Sequence, residues 1–131
     1  MKKILIVEDE RDIRDLLTYI LETAGYQVIL AGNGEVACRL SRSEMPDLVL
    51  SDVRLPKVSG YEVCRRLKAD PALRHIPVLF LSAHGQEAEV QAGVAAGAAG
   101  YLVKPLVPAQ LLGKVADVLA QAQLEAQEET L

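Results

Sequence analysis

Two cysteines and two histidines, none of them paired at ligand spacing, are all that this chain of 131 residues offers toward a thiolate or imidazole metal site. Cys38 and Cys64 are too far apart for a C-x-x-C motif and too few for a disulfide framework. Each reads as a small apolar residue buried in a reducing compartment. His75 and His84 read as solvated loop side chains. No apolar run approaches the roughly 18 residues of a membrane helix. The opening Met1-Lys2-Lys3-Ile4-Leu5-Ile6-Val7 imitates a signal peptide, but its apolar stretch stops at Glu8-Asp9-Glu10, short of the 7–15 residues of an h-region. The expected location is cytoplasmic, without membrane contact. An excess of basic residues is missing too: 14 Lys and Arg stand against 18 Asp and Glu, a formal charge of −4, which disfavours direct nucleic-acid binding. Much of that acidity belongs to Glu125, Glu128 and Glu129 in the last ten residues.

What is present suits one domain: half of the residues are apolar and a quarter charged. Five apolar runs of strand length stand out, Lys3 to Val7, Gln27 to Ala31, Asp47 to Ser51, Pro77 to Leu81 and Gly100 to Val103. Four of them are dense in Val, Ile and Leu without clean alternation, as parallel strands covered on both faces are. Between them the apolar spacing is helical: Ile13, Leu16, Leu17, Ile20 and Leu21, then Val36, Ala37 and Leu40, then Tyr61, Val63, Cys64 and Leu67. A fourth helix is expected over roughly Glu87 to Ala96; Gly93 and its alanines make it the loosest. The last begins near Pro108, with Leu111, Leu112, Val115, Val118 and Leu119 as its stripe. Gly25 and Gly97 read as helix terminators. The fold class is therefore α/β, five βα units in a doubly wound, flavodoxin-like parallel sheet of order 2-1-3-4-5. The folded domain should span 1–122. Residues 123–131 read as an acidic tail, a frayed helical extension or the stub of a linker.

Right-handed crossovers place every strand's carboxyl end along one edge of such a sheet, where ligands bind. Just past the first strand lie Glu8, Asp9 and Glu10, past the third Asp52, past the fourth Ser82 and past the fifth Lys104-Pro105. Carboxylates converging there resist ionising together unless a cation joins them. An all-oxygen donor set points to Mg²⁺ rather than Zn²⁺. With the Lys104 ammonium and the Ser82 hydroxyl, the set makes a socket for a phosphoryl group, and a carboxylate can serve as its nucleophile.

These residues carry a resemblance. Ile-Val-Glu8-Asp9-Glu10, Asp52-Val53-Arg54-Leu55-Pro56 with Gly60, Leu81-Ser82-Ala83 and Gly100-Tyr101-Leu102-Val103-Lys104-Pro105 resemble, in order and spacing, the receiver domain of bacterial two-component response regulators of the chemotaxis-regulator-like kind. The resemblance implies that Asp52 is the phosphoacceptor. It also implies that Asp9, Asp52 and the Arg54 backbone carbonyl bind Mg²⁺ with Glu8 acting through water, and that Lys104 pairs with phosphoryl oxygens. Ser82 and Tyr101 would be the switch pair, and Lys104-Pro105 a cis bond. The implied partners are a histidine kinase or histidine phosphotransfer protein and a downstream output domain or protein. The chain would catalyse only its own phosphorylation and dephosphorylation. Ser59 stands where the family often has Asp, which alters a helix cap. Ala98-Ala99-Gly100 and the lack of Arg after position 74 make one subgroup's charged dimer doubtful.

Two other readings compete. Gly32-Asn33-Gly34-Glu35-Val36-Ala37 between a strand and a helix fits a G-x-G-x-x-A dinucleotide fingerprint, with Asp52 at the expected distance. It leaves Glu8, Asp9, Ser82 and Lys104 unexplained. A phosphatase with an aspartyl nucleophile shares the carboxylate and lysine chemistry but carries D-x-D after its first strand. Here Asp52-Val53-Arg54 follows the third and lacks the second acid. A Walker A motif is absent, so ATP is not the expected phosphoryl donor.

Overall fold

The computed structural model describes residues 1–82 and 87–130; the His84 expectation lies outside them. Strands β1 (Lys3–Val7), β2 (Gln27–Ala31), β3 (Leu48–Asp52), β4 (Val78–Ser82) and β5 (Gly100–Val103) alternate with helices α1 (Arg11–Thr23), α2 (Gly34–Glu44), α3 (Gly60–Ala69), α4 (Glu87–Ala95) and α5 (Pro108–Thr130). All neighbouring strands are parallel and the order is β2-β1-β3-β4-β5, as the sequence pattern requires. Each face of the sheet has its own core. Leu5, Val7, Val49, Val78 and Phe80 pack toward α2, α3 and the end of α4, and Ile4, Ile6, Leu48, Leu50 and Leu79 pack toward α1 and α5. Burial on both faces is why β1, β3 and β4 show no polar alternation.

Two strands, β3 and β4, begin and end one residue later than expected. Asp47 stays outside β3 because its carboxylate accepts the Lys3 backbone N–H at 2.7 Å, and Pro77, lacking an N–H, only contributes its carbonyl to Val49. Asp52 and Ser82 are therefore the last residues of their strands, in register with Leu81 and Val103. Helix ends follow the local chemistry. Asn33 and Ser59 cap α2 and α3 by accepting the N–H groups of Val36 and Glu62, so serine serves where aspartate was the family's expectation. Gly25 and Gly97 take positive φ at the ends of α1 and α4. Helix α5 runs unbroken past Ala122 to Thr130. Cys64 is buried with its thiol on the Ala96 carbonyl, but Cys38 is only half-buried, because α2 turns it toward the rim beside Arg66.

The G-x-G-x-x-A segment is a packing device. A side chain at Gly34 would overlap the Val58 carbonyl and press on Val63, so the close approach that this glycine permits is taken by the loop after β3. No room for a pyrophosphate remains there.

Candidate functional site

The carboxyl ends of β1, β3, β4 and β5 converge because parallel strands in register end together. Asp9, Glu10, Asp52, Val53, Arg54, Ser82 and Lys104 line one cavity of about 250 Å³ above them. Glu8 is fully buried and Asp52 nearly so, while Asp9 is exposed at the mouth. One carboxylate oxygen from each of the three lies within 4.8 Å of the other two. Lys104 enters from the end of β5. Its ammonium stands 3.1 Å from Asp52 Oδ2 and 3.5 Å from Glu8 Oε2, and the Lys104-Pro105 bond is cis.

Backbone groups aim the acids. The Arg54 N–H donates to Asp52 Oδ1 at 3.2 Å, holding the carboxylate over the loop that leaves β3. The Glu10 N–H donates to Glu8 Oε1 at 3.2 Å, and the Arg14 guanidinium reaches the Glu8 carbonyl at 3.4 Å. Gly60 lets α3 start against the Asp52 carbonyl, a position where any side chain would collide with backbone. Arg14 and the Glu10 amide were invisible in the motif reading. Their contacts join positions two and six residues apart through the turn into α1, and no side-chain pattern encodes that.

The electrostatics follow from this crowding. Burial and then the neighbouring Asp52 push the Glu8 carboxyl from its ordinary 4.5 up to about 7, against the opposing pull of Lys104 and the Glu10 N–H. Burial alone would lower the Lys104 ammonium, but its hydrogen bond and attraction to Asp52, then Glu8, outweigh it and hold the lysine above its usual value. Glu8 Oε2 is buried, with the Lys104 ammonium at 3.5 Å and no closer hydrogen-bond partner. A buried lone pair facing two more carboxylates and no soft donor is the setting that a hard divalent cation fits.

Ser82 is buried and lines the cavity. Tyr101 is half-buried and lies outside that lining, packed edge-on against Phe80 at 6.4 Å, which in turn meets Tyr61 at 5.2 Å. Gly93 of α4 leaves room for these rings: a Cβ there would sit 3.2 Å from Phe80. The sequence-derived set is thus assembled in one place, except that the aromatic partner sits on the α4 side of the sheet.

A doubly wound parallel sheet with acids and a lysine gathered at its carboxyl edge defines a phosphate-handling α/β switch rather than a dinucleotide module. Comparison with known proteins is specific. The family model described as the response regulator receiver domain matches residues 4–116, and the chain belongs to that family. It is 40% identical over 125 residues to the alkaline phosphatase synthesis transcriptional regulatory protein PhoP of Bacillus subtilis (strain 168), covering 95% of this chain and 51% of that one. It is 39% identical over 125 residues to the phosphate regulon transcriptional regulatory protein PhoB of Rhizobium meliloti (strain 1021), with 95% and 55% covered. The chain thus spans about half the length of these curated relatives. Among solved structures it is similar to the chemotaxis response regulator CheY4 of Vibrio cholerae, with a TM-score of 0.86 and 33% identity over 90% of this chain and 98% of the other. The chain is a receiver domain of the two-component type, a signalling switch operated by phosphorylation. No helix among the described residues is long and apolar enough to cross a membrane.

Proposed function

We propose that Asp52 is the phosphoacceptor, and that the group comes from a phosphohistidine on a partner kinase or phosphotransfer protein. The observation that carries this reading is the Asp52 side chain aimed at Lys104 and at the other two acids from the end of the central strand. In the transfer an Asp52 carboxylate oxygen bonds to phosphorus as the phosphorus–nitrogen bond breaks. The electron pair stays on the imidazole, which takes up a proton from solvent. Lys104 holds a phosphoryl oxygen, the Arg54 N–H holds the spectator oxygen of Asp52, and Ser82 offers a hydroxyl to the new group. Asp9, Asp52 and the Arg54 carbonyl would hold Mg²⁺, with Glu8 acting through water. When bound, the cation neutralises oxygens of the transferring group. Loss of the phosphoryl group to water returns the switch to its resting state.

Phosphorylation turns one negative charge at Asp52 into nearly two and adds acceptor oxygens. That draws the Ser82 hydroxyl inward and frees space for the Tyr101 ring, which passes the change to α4 and β5. Residues 1–122 form the receiver and 123–131 a tail or the start of a connection, since the buried positions of α5 end at Leu119. An output domain or protein lies downstream. Two free thiols suit a reducing cytoplasm.

Incubation with acetyl phosphate and Mg²⁺ should add one phosphoryl mass to the chain, and Asp52→Asn should abolish it. Modification that persists in Asp52→Asn would end this assignment. Ser82→Ala should leave the mass shift largely intact while weakening the response at Tyr101, read by ring NMR signals. Equal loss of both would contradict the switch pairing.

A further inference from the structure

The Glu8 carbonyl stands at the end of the ladder between β1 and β2, and what it bonds to is not a strand. The backbone that faces β2 belongs to the even-numbered positions: the Gln27 N–H donates to the Lys2 carbonyl at 2.9 Å, and the Glu8 N–H donates to the Ala31 carbonyl at 3.1 Å. A parallel ladder continued by one rung would bring the Asn33 N–H to the Glu8 carbonyl. The chain instead turns away at Gly32-Asn33 to cap α2, and among the described residues the Glu8 carbonyl accepts no backbone N–H. The Arg14 guanidinium takes that place, donating from Nη1 at 3.4 Å.

The surroundings are shaped for this contact. Arg14 is half-buried and has no ion pair with an acid among the described residues, whereas Arg11 on the same helix pairs with Asp15. Gly32 makes the room. A Cβ there would stand 3.0 Å from Arg14 Nη1, so the first glycine of the G-x-G-x-x-A segment admits the guanidinium, as Gly34 admits the loop after β3. The two peptides that flank Asp9 are both tied down. Arg14 holds the carbonyl before it, and the Glu10 N–H after it donates to Glu8 Oε1 at 3.2 Å. Asp9 itself is exposed, and its carboxylate accepts no hydrogen bond among the described residues. Its aim toward Glu8 and Asp52 is therefore set by those two peptides.

We infer that Arg14 is a positioning residue for the acid cluster: its guanidinium, admitted by Gly32, fixes the peptide between Glu8 and Asp9 and so holds Asp9 in line for a divalent cation. This role rests on the cation site proposed above for Asp9, Asp52 and the Arg54 carbonyl. Arg14 does not act there by its charge. A guanidinium near three carboxylates repels an incoming cation, so as a charge alone it weakens cation binding, whereas as a clamp on a ligand's backbone it strengthens binding. The two roles predict effects of opposite sign.

Titration of the full chain with Mg²⁺, followed by the amide NMR shifts of Asp9 and Arg54, tests the clamp. Arg14→Ala should raise the Mg²⁺ dissociation constant about tenfold, the scale on which groups that support metal ligands act. Arg14→Lys, whose ammonium can donate to the same carbonyl, should restore most of the affinity. Gly32→Val, which fills the guanidinium's place, should weaken binding by a similar factor in the parent and by nothing further in Arg14→Ala. Circular dichroism of each variant confirms that it is folded. Affinity that is unchanged or tighter in Arg14→Ala, no recovery in Arg14→Lys, or a further loss when Gly32→Val is added to Arg14→Ala would each overturn the clamp. Asp9→Asn separates this failure from that of the cation site. If Asp9→Asn binds Mg²⁺ as the parent does, site and clamp fall together; if it loses Mg²⁺ while Arg14→Ala does not, the clamp falls alone.

Discussion

The two edges of the sheet use the same kinds of side chain to opposite ends. At the carboxyl edge Glu8, Asp52 and Lys104 are largely withdrawn from water, so their charges act strongly on one another and the Glu8 carboxyl is pushed from its ordinary 4.5 up to about 7. At the amino edge Lys2, Arg74 and Glu125 remain in water, where ion pairs are worth little and backbone and solvent do most of the work. The difference teaches that burial, more than residue type, separates a site that can do chemistry from a surface that can only attract. It also predicts that equal-sized changes at the two edges have unequal effects.

The largest contrast should come from glycine. Gly60→Ala forces a methyl into the Asp52 carbonyl and the Val53 Cα, atoms that cannot move without dragging the end of β3. A loss of about 3 kcal/mol in urea denaturation is expected, together with loss of the acetyl phosphate mass shift. A loss below about 1 kcal/mol would show that the carboxyl edge is softer than its packing implies.

Glu8→Gln comes next. In the metal-free chain the Glu8 carboxyl titrates near 7 when folded and at its ordinary 4.5 when unfolded, so the folded state binds the extra proton. Its contribution to stability is complete below about pH 4.5 and is lost as pH rises through about 7. Glu8→Gln should therefore be more stable than the parent at pH 8, on the order of 1 kcal/mol after allowance for screening, with the gain vanishing by pH 5. Added Mg²⁺ should narrow the gap by stabilising the parent. Denaturation midpoints across pH with and without the metal measure both effects.

At the amino edge Gly97→Ala should cost about 1 kcal/mol, from its positive φ. A Cβ there meets only the Lys68 stem at 3.0 Å, which can shift. The smallest effect belongs to Lys2→Glu, an exposed change expected to alter monomer stability by no more than ~0.5 kcal/mol. A larger value would mean that this edge, too, holds its charges out of water.

Much of this was legible before any coordinates. Strand order was legible because the second strand runs into Gly32-Asn33-Gly34 and not into a reactive side chain, which suits an edge strand in the order 2-1-3-4-5. Glu8, Asp9, Asp52, Ser82 and Lys104 could be singled out since each falls where a strand ends. Other features were hidden for physical reasons. Cys38 was expected to be buried, and the rotation of α2 decided otherwise. The G-x-G-x-x-A segment matched a ligand pattern, yet its second glycine is spent on a loop that is distant in sequence.

Periodicity and strand ends, both local properties of the chain, therefore determined the sheet and nominated the acids. Only the tertiary structure decided which carboxylate loses its water, which nitrogen stands 3.1 Å from Asp52, and that the end of α5 walls a groove at the amino edge of the sheet. Desolvation and contact are set by groups brought together from far apart in sequence, so no local pattern can encode them.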